Sequence, residues 1–544
     1  MEQIIRNWGF LGRLLFRHKL SPKTAGMHPT VGGSFEPTSG TRSSGRRWVI
    51  TNCKAVGCLS FAVAFACPSM GATFSLSVNL SDSIRPVTHC ASGSLYGITE
   101  TLPSDIPGMV GALHPNEFRC PALDGAGHQH DIGAAIPVSA RIASTTGKVQ
   151  FLLSDVYPNW PYQFAGISDY KSQVTSVINA KIASGRTNYD GYEIWNEPNG
   201  TWQTANGDFN STLWKPMYTL IRSLDPTAKI IGPSYSYYDN GSMQTFLTYC
   251  KANNCLPDVI CWHQWGSDGF AGAYKSYRAL EKSLGIGPLP ISINEYSSNT
   301  HTYEGCPGVS VPFIAKFERD GVESAMISWW FTAYPGRLGS LLTSGNAKGG
   351  GWYLYKWYGD MTGYMAMTTP PNDASDGVDA FASVDRSQQY ASIVLGGNSV
   401  GTVDVAVGGI PAWFGSSVDV ELDDVTWTDK DTPVSGTTTL STTKYAVTNG
   451  SITVPVNVTS QLNGYRLYVT PAATGILGQR TAANAGSGSY RIRDLQGRDL
   501  GLVKIETGEN LEAAVARIVP RPGIYVVRPN ASEGIARKIL VGAK

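Results

Sequence analysis

The sequence predicts an α/β protein built on a (β/α)8 barrel, with an accessory antiparallel β-sandwich and a small C-terminal β-module. Three observations carry that expectation. Between about residues 91 and 361, short apolar runs alternate with stretches of helix length, the pattern of parallel strands joined by crossover helices. Polar or ionisable residues stand at the ends of most of those runs. Past Trp357-Tyr358-Gly359-Asp360 the helical spacing stops, and short alternating segments punctuated by turn residues replace it.

A chain of 544 residues is too long for one compact core, so several domains are expected. Lys plus Arg number 43 and Asp plus Glu 42, a balance that argues against nucleic acid or any polyanion recognised by bulk charge. Charged residues make up only 16%, beside 14 Trp, 26 Tyr and 60 Gly. That balance suits an exported protein that handles sugars, because aromatic faces stack on the C–H face of a pyranose. Any single ring is still more often part of a core.

Taken in order, residues 1–72 read as a leader, of which the first 45 show no sustained period and are assigned to no fold. Arg46-Arg47 and Lys54 precede the apolar run Ala55 to Ala66, and Cys67-Pro68-Ser69-Met70-Gly71-Ala72 offers small residues for cleavage, so an export signal is expected. Thr73 to Leu80 alternates with period two, and residues 73–90 are assigned to a strand that joins the later sandwich. Eight strand candidates then follow: Gly93–Ile98, Glu117–Cys120, Val149–Asp155, Tyr189 to Glu197, Lys229–Gly232, Asp258–His263, Pro290–Glu295 and Ser324–Trp330. A doubly wound open sheet is the competing fold, but the first strand–helix turn lacks a phosphate-binding glycine fingerprint. In the barrel, Arg119, Asp155, Glu197, His263 and Glu295 are expected to converge at the C-terminal rim of the strands.

Residues 362–471 carry Val403–Val407, Val418–Leu422 and Ser451–Val456, each alternating as sandwich strands do. A Gly/Ala/Thr-rich linker, 472–487, leads to a module at 488–544. The module contains Tyr490-Arg491-Ile492-Arg493-Asp494-Leu495-Gln496-Gly497-Arg498, Pro522-Gly523-Ile524-Tyr525-Val526-Val527-Arg528 and the ending Lys538-Ile539-Leu540-Val541-Gly542-Ala543-Lys544. It resembles the C-terminal sorting domains of type IX secretion, which implies export machinery as a partner; an ordinary small β-domain is the plainer alternative.

Nine cysteines divide into Cys53, Cys58 and Cys67 near the start and Cys90, Cys120, Cys250, Cys255, Cys261 and Cys306 in the body. None shows repeated zinc-site spacing, so disulfides are expected, with Cys250–Cys255 the first candidate and buried free thiols the alternative. His128-Gln129-His130-Asp131 has metal-ligand residue types but no third ligand, and no metal or cofactor is expected.

The chemistry rests on two glutamates. Glu197 closes the fourth strand in Glu193-Ile194-Trp195-Asn196-Glu197-Pro198-Asn199, and Glu295 closes the seventh in Ile293-Asn294-Glu295-Tyr296. Retaining glycoside hydrolysis needs such a pair, one carboxyl protonated and one ionised, roughly 5 to 5.5 Å apart. These motifs resemble those of clan A glycoside hydrolases, most closely family 39. The resemblance implies a TIM barrel with Glu197 as acid/base and Glu295 as nucleophile. It further implies Asn196 on the hydroxyl beside the anomeric carbon, Arg119 in support of Glu295, and His263 and Tyr235 at the rim. Arg119 is also available to pair with Glu193. Trp160, within the aromatic run Tyr157 to Tyr162, and Trp329, beside Trp330, are the candidate sugar platforms. The expected function is a secreted retaining O-glycosidase acting on plant or microbial poly- or oligosaccharides, xylosidase-like or arabinofuranosidase-like. A transglycosylase of the same clan and a non-catalytic carbohydrate-binding surface protein are the rivals, the latter having no need of both glutamates.

Overall fold

A computed structural model of the chain describes residues 72–123, 132–299, 301–328, 336–472, 488–494, 498–505, 511–519, 523–529 and 537–541. The expected leader before residue 72, its three cysteines, His128 to Asp131, Trp329-Trp330 and all but the first residue of the linker lie outside those residues.

The first strand is β1 (Thr73–Pro86). Eight more close the barrel in sequence order: β2 (Gly93–Leu95), β3 (Glu117–Pro121), β4 (Lys148–Leu152), β5 (Tyr189–Glu193), β6 (Lys229–Tyr235), β7 (Val259–Trp265), β8 (Ile291–Ser297) and β9 (Ser324–Ile327). All neighbours pair in parallel, including β9 with β2, which closes the ring. Parallel strands are covered on both faces, and β8 accordingly is buried along its whole length. Helices α1 (Ala135–Arg141), α2 (Ile167–Ala183), α3 (Lys215–Leu224), α4 (Asn240–Ala252), α5 (Phe270–Leu284), α6 (Pro307–Arg319) and α7 (Gly350–Gly359) supply the outer ring. One apolar core, including Phe151, Tyr192, Trp195, Trp214, Trp262, Phe270 and Phe317, fills the space between strands and helices.

The eight expected strands are present, but four end early, β2 at Leu95 rather than Ile98 and β9 at Ile327 rather than Trp330 among them. Strand β4 stops at Leu152 and Asp155 falls in a 3-10 turn, Leu153–Val156. Strand β5 stops at Glu193, so Glu197 lies four residues beyond it, with φ 50°. Pro198, which has no N–H to offer a ladder, opens a one-turn helix there, Pro198–Thr201. Strands β6, β7 and β8 run two or three residues longer than their apolar runs indicated.

After the barrel come β10 (Tyr364–Thr369), β11 (Asp379–Asp385), β12 (Tyr390–Gly396), β13 (Gly401–Gly408), β14 (Ser417–Val425), β15 (Thr438–Ala446), β16 (Ile452–Val458) and β17 (Gly464–Pro471). With β1 they form a nine-stranded sheet in the order β15-β14-β17-β12-β11-β10-β1-β13-β16. Val418 and Val420 of β14 share a core with Val454 and Val456 of β16, so the two ends of the order fold over one another as layers. Strand β1 does join this sheet, pairing antiparallel with β10 and parallel with β13. That one parallel pair departs from the antiparallel expectation. It is possible because β1 arrives from before the barrel, and no hairpin ties it to β13.

The accessory sheet seats on α6. Lys316 lies 3.1 Å from Asp379 of β11, both almost wholly buried, and Arg319 reaches Asp379 at 2.9 Å and Asp373 at 2.7 Å. Gly308 allows the closest approach, since a Cβ there would sit 2.1 Å from the Gln461 carbonyl oxygen. The C-terminal module is a separate four-stranded antiparallel sheet of β18 (Gly488–Arg493), β19 (Asp499–Ile505), β20 (Gly523–Pro529) and β21 (Arg537–Val541), ordered β19-β18-β20-β21. Ile492, Val503, Tyr525 and Val527 form its core with Leu511 and Val515 of α8 (Leu511–Ala516).

Among the described residues the disulfide expectation is corrected. Cys90, Cys120, Cys250, Cys255, Cys261 and Cys306 are all buried free thiols. Cys250 and Cys255 do adjoin, but the turn after α4 is closed by the Cys255 N–H donating to the Cys250 carbonyl at 2.9 Å, and both thiols are free. The others pack as small apolar groups on separate elements.

Replacing Asp379 with Ala strands the buried Lys316 ammonium, so a loss of about 3–5 kcal/mol is expected. Equilibrium urea unfolding of D379A beside the parent chain measures it.

Candidate active site

Arg119, on β3 and fully buried, organises the rim. Its Nε and Nη2 donate to the two carboxylate oxygens of Glu193 at 2.5 and 2.8 Å. Nη2 also donates to Asn196 Oδ1 at 2.7 Å, and Nη1 to Glu295 Oε1 at 2.6 Å. The two roles open to Arg119 from the sequence are thus both filled, because a guanidinium carries five donors in a fixed fork. Burial opposes its charge, but Glu193 and Glu295 outweigh that and hold its pKa above the usual arginine range. Glu193 accepts further from Gln150 of β4 at 3.1 Å and Asn294 of β8 at 2.8 Å, so one carboxylate ties together three strands besides its own.

His263, on β7, lies between the two candidate catalytic carboxylates. Its Nδ1 is 3.0 Å from Glu197 Oε1 and 3.8 Å from Glu295 Oε2. Burial disfavours a charged imidazole here, yet Glu295 and Glu197 together raise the His263 pKa above its ordinary value. One oxygen of each glutamate and one imidazole nitrogen lie within 4.8 Å of one another. Metal ligands can be spaced this way too, but the Arg119 guanidinium already holds Glu295 at 2.6 Å, and its charge opposes a cation beside it.

Glu197 is delivered by a turn rather than a strand. Its N–H donates to the Ser234 carbonyl at 2.9 Å, and the Thr201 hydroxyl donates to the carbonyls of Asn196 and Glu197 at 2.6 and 3.0 Å. The Trp195 indole N–H donates to the same Thr201 hydroxyl at 2.9 Å, so the residues flanking Glu197 are fixed from below. Next to this network Asp155 accepts a hydrogen bond from Tyr96 at 2.7 Å. Burial pushes the Asp155 carboxyl up to about 7, against the opposing pull of the Tyr96 hydrogen bond and the Arg119 charge.

Several expected site residues are placed elsewhere. Tyr235 points its hydroxyl at the Ser242 carbonyl on α4, 3.4 Å away, and packs against Phe246, because its side of β6 faces the helix layer. Trp160 packs against the barrel core, and its neighbours Tyr157 and Tyr162 are buried beneath the rim, Tyr162 edge-on to Trp195 at 5.1 Å. Tyr157 and Tyr162 therefore support the Trp195 turn, while Trp160 stays half-buried. Trp329 lies outside the described residues. Sequence reasoning passed over Trp265, whose ring stands 6.0 Å from His263 and nearly perpendicular to it. The signal was available, since residues two apart on a strand share a face.

The raised Asp155 carboxyl has a sign that can be tested. The folded chain holds its proton where the unfolded chain does not, so this contribution is full below about pH 3.8 and is lost as pH rises to about 7. In Asp155→Asn the decline in stability between pH 4 and 7.5 should be shallower than in the parent by a few kcal/mol, because a tenfold change in proton affinity is worth about 1.4 kcal/mol. Urea unfolding at both pH values reads the difference.

No family model matches the chain. The 3-O-beta-L-arabinopyranosyl-alpha-L-arabinofuranosidase of Bifidobacterium pseudocatenulatum is 26% identical over 468 residues, which cover 72% of this chain and 47% of that protein. This chain thus spans about half the length of that curated relative. The crystal structure of a GH39 enzyme from Xanthomonas axonopodis pv. citri shares the fold, with a TM-score of 0.52 at 14% identity over 74% of this chain and 98% of that one. The structure of N2152 from Neocallimastix frontalis is 47% identical, with a TM-score of 0.73, and the match covers 74% of this chain and all of that one. At that identity and coverage, this chain belongs to the family that N2152 represents.

Proposed function

We propose that the chain is a retaining O-glycosidase that removes terminal arabinofuranosyl or xylosyl residues from poly- or oligosaccharides. One observation carries the reading: oxygens of Glu197 and Glu295 lie within 4.8 Å of one another, with Arg119 bonded to Glu295. Retaining enzymes hold their carboxyls roughly 5–5.5 Å apart, whereas inverting enzymes need roughly 6.5–9.5 Å to admit a water between. The curated relatives named as arabinofuranosidases support the substrate class.

In this mechanism Glu295, kept ionised beside Arg119, attacks the anomeric carbon, while Glu197 gives its proton to the departing oxygen. The C–O bond breaks as a glycosyl ester forms on Glu295. Glu197, now a carboxylate, takes a proton from an incoming water, whose oxygen displaces Glu295 and returns the sugar with its original anomeric configuration. His263, whose Nδ1 is hydrogen-bonded to Glu197 Oε1, steadies that carboxyl in both stages. Asn196, with its Oδ1 occupied by Arg119, presents its amide N–H to the hydroxyl beside the anomeric carbon. We also propose that the enzyme acts outside the cytoplasm, on the strength of the export-like leader and of the terminal sheet's sequence, which resembles type IX sorting domains.

Glu295→Gln is expected to abolish turnover of p-nitrophenyl α-L-arabinofuranoside and β-D-xyloside, whichever the parent cleaves. Glu197→Ala should slow natural substrates on the order of 10²–10⁴-fold, spare glycosylation by good leaving groups and respond to azide with a glycosyl azide product. Full activity in E295Q would sink the mechanism. NMR of the first-formed sugar should show the substrate's own anomer, and an inverted anomer would refute the assigned roles.

A further inference from the structure

The rim carries a run of aromatic rings that the two-glutamate chemistry leaves unused. Trp265 ends β7, partly exposed, two residues after His263. Its indole N–H donates to the Ser236 carbonyl at 2.7 Å. Ser236 is in turn held to Asn199 by two hydrogen bonds, 2.9 and 3.0 Å long, so the loop after β6 is tied both to Trp265 and to the turn that carries Glu197. The next residue, Tyr237, stands 58% exposed. On the far side of Trp265 lies the His301 ring, at 4.7 Å, and two residues on is Tyr303, 37% exposed and 6.0 Å from Trp427.

Trp427 comes from the accessory sheet, in the connection between β14 and β15. The same connection sends Lys430 to the buried Glu304 at 3.3 Å, and Glu304 also accepts from Ser328 and from Ser340 and lies 3.6 Å from His301 Nδ1. Lys430 and Glu304 thus pair with each other, so the charge that the accessory sheet brings beside Tyr303 is neutralised, which suits a neutral partner. Exposed rings beside a buried acid are the surface a pyranose or furanose face stacks on.

We propose that Trp265, Tyr237 and Tyr303 form the binding surface for the departing side of a neutral oligosaccharide, with Trp427 and Lys430 of the accessory sheet packed behind Tyr303 and Glu304 as its support. The assignment to the departing side rests on the glycosidase reading: the group that receives the proton of Glu197 must lie beside Glu197, and this wall is tied to the Glu197 turn through Asn199 and to His263 through Trp265. The enzyme then gains from a sugar chain as leaving group what a small aryl leaving group cannot supply.

The test compares kcat/KM for an oligosaccharide with kcat/KM for the p-nitrophenyl glycoside of the same terminal sugar, using xylotriose for a xyloside or an arabinose-substituted xylo-oligosaccharide for an arabinofuranoside. In Trp265→Ala the oligosaccharide-to-aryl ratio should fall about tenfold or more, mostly through KM, and Trp265→Phe should recover part of it. Tyr237→Ala, at an exposed position that threatens no packing, should lower the ratio severalfold. A ratio unchanged within twofold in both alanine variants overturns the surface while leaving the glycosidase reading intact. Failure of the parent chain to cleave any of these substrates overturns that reading and the proposal with it.

Discussion

A buried guanidinium is the constraint on which this site depends. Arg119 has no solvent to share its charge with, and its neighbours are two carboxylates and an amide oxygen. An unpaired charge at that depth is strongly destabilising, and so is each carboxylate without Arg119. The network therefore holds as a unit or fails as one. Because its members come from β3, β4, β5 and β8, satisfying Arg119 also sets the register of half the barrel at its catalytic end.

Glu193 and Glu197 show how similar residues on one segment are given different tasks. Glu193 is the last residue of β5, and its carboxylate is committed to Arg119, Gln150 and Asn294. Glu197 stands in a left-handed turn beyond the strand, slightly exposed, with its carboxyl against His263. The positive φ turns its side chain away from the direction a continued strand would give it. The turn is held by Thr201, Trp195 and the Ser234 carbonyl, a rigid frame of the kind that positioned proton transfer requires.

The accessory sheet is more than an appendage to the barrel. It seats on α6 through the buried Lys316–Asp379 pair, and the connection after β14 returns to the rim, where Lys430 meets Glu304 and Asp431 accepts from Ser344 at 2.8 Å. Sheet and rim are thereby coupled at two places, and barrel and sheet belong to one compact unit.

The barrel, the sheet that follows it and the participation of β1 were legible in the amino-acid sequence, as was the nearness of Arg119, Glu197, His263 and Glu295 at one rim, whereas Asp155, expected with them, lies in a 3-10 turn bonded to Tyr96. Those features are local: apolar runs of strand length, turn residues that end them, and two glutamates whose neighbouring residues form a recognisable pattern. Four others were settled by long-range packing: Glu197 leaves the strand, Arg119 serves Glu193 and Glu295 at once, Tyr235 faces the helices with Tyr157 and Tyr162 buried against Trp195, and Cys250 and Cys255 stay thiols. A strand end reads the same in sequence whether its last side chain faces the barrel axis or the helix layer, and an aromatic reads the same in a core as on a rim. Which way each points is set by contacts between residues tens to hundreds of positions apart, such as the 176 that separate Arg119 from Glu295.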